Sequence, residues 1–273
     1  MATATGSKVG IDRRAALLIA ATAIPVLIVI LFVDPFPQSA DYYDFADKRR
    51  LLGIPNFWNV ASNAPFLVFG IAGISLIIGK RDVAILRGLK TAYLVLFSGI
   101  ALTAFGSGWF HLDPGNDTLY WDRLPMTIAF MPLFAVILGE HVSENLARRL
   151  VWPLLIAGIG SVLYWKHTES LGAGDLRLYG LVQFLPMLLI PVILVNYRSV
   201  FDSTRFFWVA IGLYALAKVL EHLDGEIYAA GGIISGHSLK HIAASLVPLV
   251  LINGIRVRQP RGATPQPDNQ TTS

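Results

Sequence analysis

The chain of 273 residues is 54% hydrophobic and only 15% charged, with a mean hydropathy of +0.58, which excludes an ordinary soluble globular protein and points to a polytopic membrane protein. It holds six histidines and no cysteine, so disulfides, thiolate catalysis and thiolate metal sites are excluded, and any zinc must be held by His and carboxylates. The net charge of +4 reports topology and not a nucleic-acid partner, because in a membrane chain the placement of basic residues matters more than their sum.

Residues 1–14 are polar and basic and are expected to form a cytoplasmic tail. The apolar run 15–33 ends at Asp34-Pro35. It exceeds the about 7 to 15 residues of a signal-peptide core, and Gln38 spoils a small-x-small cleavage site before Ala40, so a retained transmembrane helix is expected. Residues 34–57 form a non-cytoplasmic polar connector carrying Asp41, Asp44 and Asp47, followed by Lys48, Arg49 and Arg50.

Seven further apolar runs follow at 58–79, 88–111, 122–139, 150–165, 176–195, 206–223 and 234–255, each near the length a spanning helix needs. Prolines such as Pro65, Pro125, Pro132 and Pro248 fall inside them, which packed membrane helices tolerate with local kinks. The expected fold is an all-α membrane protein: a seven-transmembrane-helix bundle at 58–256 with one additional N-terminal transmembrane helix. The segment 257–273 lacks an apolar run and is expected to be a disordered cytoplasmic tail.

Counting Lys and Arg on alternate sides of these spans gives fourteen on one side and six on the other, with Lys218 and Lys240 inside helices. Both termini are therefore expected to be cytoplasmic. His111, Asp122 and His237 then all fall at non-cytoplasmic helix ends, with Ser107 and His241 one turn deeper.

Ser107 and His111 stand at i and i+4 near the end of one run, and His237 and His241 repeat that spacing at the start of the last, so each pair shares a helix face. Polar groups at membrane depth mark functional interiors. Three neutral imidazoles plus a water make a tetrahedral site with an open position, the arrangement of catalytic rather than structural zinc. Such an ion lowers the pKa of its water towards about 7.

Asp122 is read as a general base or an orienter of that water, with a helix N-cap as the bland alternative. Ser107 is read as a donor to a developing oxyanion, against a small packing residue between Gly106 and Gly108. His141, with Glu140 and Glu144, is expected in a solvated loop. His167 lies in an outer loop, and His222 belongs to a structural polar cluster with Lys218, Glu221 and Asp224.

Four stretches, NFWNVASNAPF (56–66), GSGWFH (106–111), WDRLPM (121–126) and HSLKHIAA (237–244), together resemble the alkaline ceramidase family. These are seven-helix membrane hydrolases in a superfamily that also includes the adiponectin and progestin receptors. The resemblance covers about 56–256. It implies zinc held by His111, His237 and His241, with Ser107 and Asp122 completing a site that hydrolyses the ceramide amide to a sphingoid base and a fatty acid. The substrate is then a membrane lipid met within the bilayer, and the oligomeric state is left open.

Family members often carry a calcium site in the segment before the first core helix, built from an acidic stretch and a Glu preceding FWN. Here the stretch is DYYDFAD and the preceding residue is Asn56, which leaves Asp41, Asp44 and Asp47 as candidates for a hard cation such as Ca2+. The receptor branch offers a different function, a regulatory membrane protein with a structural zinc. A transporter using His and Asp as a proton relay is a third reading.

Overall fold

The computed structural model describes residues 13–79 and 83–262. The expectations for residues 1–12, for Lys80 and Arg81, and for the tail from residue 263 lie outside the described residues. Ten α-helices run through the rest: α1 (Arg13–Phe32), α2 (Phe57–Ala61), α3 (Ala64–Ile78), α4 (Lys90–Leu112), α5 (Asn116–His141), α6 (Glu144–Ser170), α7 (Arg177–Asn196), α8 (Thr204–His222), α9 (Asp224–Gly231) and α10 (Gly236–Val257). Among the described residues, extended pairing is limited to isolated bridges at Leu51 with Ile54 and Phe201 with Pro260.

Seven helices are long and apolar enough to cross a membrane, with α2 and α3 taken as one span; α8 and α9, bent by 71° at their junction, make up to an eighth. The protein is an all-α membrane bundle. Its surface is apolar as well as its core, and a polar cluster is buried inside. Ile24, Val68, Ile156 and Leu188 face outward, while Ser107, His111, Asp122, His237 and His241 are buried, as expected where the surrounding solvent is hydrocarbon.

Local chemistry sets the joints that matter. Pro65 lies in the first turn of α3; it cannot donate to residue 61 and its ring crowds that carbonyl, so the helix breaks at Ser62 and Asn63. Pro114 and Gly115 end α4 and start α5. The α4–α5 contact is close because Gly106 has no side chain: a Cβ there would overlap the Trp121 carbonyl oxygen. Gly108 meets nothing within 4 Å. Of the three small residues in that stretch, Gly106 makes the packing contact and frees Ser107 to face inward.

One alternative falls and one expectation is corrected. Asp122 does not cap a helix: α5 begins at Asn116, so Asp122 lies almost two turns inside it. Glu140 and His141 are not in a solvated loop. They end α5 and are buried. The Glu140 carboxylate pairs with Arg258 Nη1 at 2.7 Å, and Tyr93 donates its hydroxyl to the same carboxylate. His141 Nδ1 lies 3.1 Å from the Ile137 carbonyl oxygen. A glutamate whose cation comes from the far end of the chain can be buried.

α1 lies on the outside of the bundle against α7. The connector that follows it is tied to the α6–α7 corner, where Arg177 Nη1 donates to the Val33 carbonyl at 3.0 Å and the Leu176 N–H donates to the Phe36 carbonyl at 3.1 Å. The connector thereby lies over the end of the bundle that holds the histidines.

Candidate metal centre

His111 projects from the last turn of α4, and His237 and His241 from the first two turns of α10. All three are buried, and one ring nitrogen from each lies within 4.8 Å of the others. The ring centroids are 4.9 Å apart for His111–His237, 5.0 Å for His111–His241 and 4.9 Å for His237–His241. The Nε2 atoms of His111 and His237 are 3.3 Å apart. Two lone pairs that close repel unless a proton or cation sits between them, and nitrogens about 2.0–2.1 Å from a tetrahedral zinc stand about 3.3 Å from one another. The donor set therefore fits a single ion of that kind.

A second ring of groups orients the rings. His241 Nδ1 lies 2.9 Å from Ser62 Oγ and 3.4 Å from Asn63 Nδ2, both at the Pro65-induced helix break. That leaves its Nε2 for the centre. Asn63 Nδ2 also donates to the Asn59 carbonyl at 2.7 Å, and Ser238 Oγ donates to Asn59 Oδ1 at 2.7 Å. Asn56, in the left-handed region at φ 46°, donates Nδ2 to the His111 carbonyl at 2.9 Å. His111 Nδ1 is buried with no hydrogen-bond partner among the described residues.

The start of α10 is fixed by Asp224, whose Oδ1 accepts the His237 N–H at 2.6 Å and whose Oδ2 accepts the Ala46 N–H at 2.9 Å. Gly236 allows this approach, since a Cβ there would overlap the Leu220 carbonyl. From the connector, the Phe45 ring covers the centre, 4.8 Å from the His111 ring and 4.3 Å from that of His237.

Ser107, Asp122 and His241 line one cavity of about 350 Å³. The Ser107 hydroxyl stands beside the Asp122 carboxyl. Away from them the wall is apolar, with Leu96, Ile100, Leu133, Ile137, Val247 and Leu251, suited to a hydrocarbon chain. The five residues singled out from spacing thus converge on one place.

The connector acids do not converge. Asp47 is buried, but its carboxylate takes Arg49 Nε at 2.9 Å and Nη2 at 2.7 Å, and Arg49 holds it below the usual carboxylate range, against the opposing effect of burial. Asp44 is exposed and paired with Lys48. Among the described residues, the three histidines are the group of His and acidic side chains close enough to share an ion. His167 and His222 are exposed.

Sequence reasoning missed Phe45, Ser62 and Asn63, and did not give Asp224 its role at the start of α10. Asn59, Ser62 and Asn63 recur at i, i+3 and i+4 inside NFWNVASN, a polar stripe that marks an inward face.

A family model described as Ceramidase matches residues 53–223. The chain belongs to the ceramidase family. No curated protein and no solved structure matches it. The matched span contains Ser107, His111 and Asp122 and ends before α10; the packing of the bundle is what brings His237 and His241 beside His111.

Proposed function

We propose that this protein is a zinc-dependent intramembrane amidase that cleaves a ceramide or ceramide-like lipid to a sphingoid base and a fatty acid. The reading is carried by one arrangement: a buried three-histidine cluster whose member His241 shares a largely apolar cavity with a serine and a carboxylate. A structural staple would need no carboxylate and no cavity beside it.

His111, His237 and His241 would hold the ion. When bound, it would supply a Lewis acid and a water more easily deprotonated than bulk water. The apolar wall holds the acyl chain and excludes water, which orients the amide at Ser107 and Asp122. Asp122 accepts the proton of the attacking water as the new C–O bond forms. Ser107 donates a hydrogen bond to the oxyanion as charge develops on the carbonyl oxygen. Asp122 then returns the proton to the amine nitrogen as the C–N bond breaks, giving a free amine and a fatty acid. The bias of Lys and Arg supports a site facing the non-cytoplasmic side, on a hydrolase unit spanning 58–256.

The test is to purify His237→Ala beside the unaltered protein, measure zinc by mass spectrometry and assay fatty acid release from ceramides. The expected result is loss of both zinc and turnover. Equal turnover in the two ends the proposal.

A further inference from the structure

Resting on the amidase reading, we propose that the cavity selects N-acyl lipids whose amine half carries an anionic group, such as a phosphate or carboxylate, and that Arg123 is the residue that reads this charge.

Arg123 lines the cavity and is only 5% exposed. Its guanidinium carbon lies 4.3 Å from the Trp165 ring, 4.6 Å from Tyr179 and 5.9 Å from Tyr42. One terminal nitrogen, Nη2, donates to the side-chain oxygen of Gln38, while Nη1 has no hydrogen-bond partner among the described residues. None of the ion pairs among the described residues includes it. Aromatic faces stabilise a cation but do not neutralise it, and a buried charge without a counter-ion is costly. A ligand anion supplies what the protein leaves out.

The neighbouring charges point the same way. Lys218 of α8 and Lys240 of α10 both bind the carboxylate of Glu221, and all three line the cavity. Counting Arg123 and Asp122 as well, three cations and two carboxylates line the cavity, which leaves one positive charge over. Tyr214 Oη and Asn63 Oδ1, from two more cavity residues, are also buried without partners among the described residues, so this chamber is built for a polar head and not for hydrocarbon alone.

Position assigns the anion to the amine side of the substrate. Arg123 follows Asp122 on α5 and reaches Gln38 in the connector, whereas the apolar wall at Leu133 and Ile137 lies further along the same helix in the opposite direction. With the amide at Asp122 and the acyl chain along Ile137, the amine half lies against Arg123. A neutral ceramide would offer only hydroxyls there.

The test compares ceramide 1-phosphate with ceramide of the same acyl chain on the purified zinc-loaded protein, measuring binding by quenching of tryptophan fluorescence and measuring hydrolysis separately. The unaltered protein is expected to bind the phosphorylated lipid at least about tenfold more tightly, the size of one charge-assisted hydrogen bond. Arg123→Gln should bring that ratio to within about twofold of unity, and Arg123→Lys should keep part of it. Equal binding of the two lipids by the unaltered protein overturns the inference, and needs no variant to fold. An unchanged ratio in Arg123→Gln overturns it too, as does oleate displacing both lipids with the same dependence on Arg123, which would mark a site for the product carboxylate. A binding preference without hydrolysis of either lipid would sink the amidase reading and keep this one. Hydrolysis of both without preference would do the reverse.

Discussion

Ser62 Oγ lies 2.9 Å from His241 Nδ1, a contact between a helix break near the start of the bundle and a ring at its last helix. Hydrogen bonds of this kind fix which ring nitrogen is free to bind an ion. Ser62→Ala is expected to weaken metal affinity by about 10- to 100-fold while leaving the thermal unfolding midpoint of the metal-free protein unchanged. Chelator competition read by metal mass spectrometry checks this; unaltered affinity would show that the ring is oriented without Ser62.

Asp122 lines the cavity but is not one of the grouped nitrogens. Asp122→Asn should therefore keep a full complement of zinc and lose about 10²- to 10⁴-fold in kcat. Ser107→Ala should lose about 10²-fold, the size of one missing oxyanion donor. If the asparagine variant comes out of purification without metal, the carboxylate is holding the ion and its role as a base is wrong.

Gly106 and Gly108 make a matched pair for testing the α4–α5 contact. A methyl at Gly106 forces the Trp121 carbonyl away and shifts Ser107 against Asp122, while one at Gly108 enters open space. Gly106→Ala is expected to destabilise by about 1–3 kcal/mol and to lose activity, with Gly108→Ala close to the unaltered protein in both. Thermal melts alongside turnover would read the difference, and a neutral Gly106→Ala would refute the packing argument.

At the opposite end of the bundle, Arg258 Nη1 pairs with Glu140 at 2.7 Å and its Nη2 donates to the Tyr93 hydroxyl oxygen at 2.9 Å. Removing the cation alone strands a buried carboxylate, so Arg258→Met should cost about 3–5 kcal/mol. Adding Glu140→Gln to it should recover a substantial part of that loss. The double-mutant comparison by chemical denaturation in detergent tests this, and equal losses in the single and double variants would contradict it.

The Asp47–Arg49 pair gives the connector an acid-sensitive anchor. Arg49 lowers the Asp47 pKa in the folded protein, so the pair's contribution is present above the unfolded value of about 3.9 and is lost as pH falls through the depressed folded value. Thermal melts between pH 6 and pH 2.5 should show Asp47→Asn less stable than the unaltered protein at pH 6, with the gap closing in the acid range. A gap that persists at the lowest pH would mean that the carboxylate charge is not what holds the connector.

Much of the architecture was legible because spanning helices declare themselves as long apolar runs. Ser107, His111, His237 and His241 were legible because i, i+4 pairs of polar residues in such runs have few uses. Asp122 was identified but misplaced: the stretch Asn116 to Trp121 falls outside the apolar runs, yet it is helical and carries the acid inside. Glu140 and His141 were misread because a charged helix end looks solvated until a cation more than a hundred residues away is brought to it. Ser62 and Asn63 were missed because their role depends on two separate facts, the break imposed by Pro65 and the docking of α10 against that break.

The aromatic cover that Phe45 forms over two of the three imidazoles has a kinetic side. With the connector pinned by Asp224 at Ala46 and by Arg49 at Ile233, an ion entering or leaving from that face must wait for those latches to open. Exchange with added chelator would then be slow however modest the equilibrium constant, and loading would be easiest before the connector closes during biogenesis.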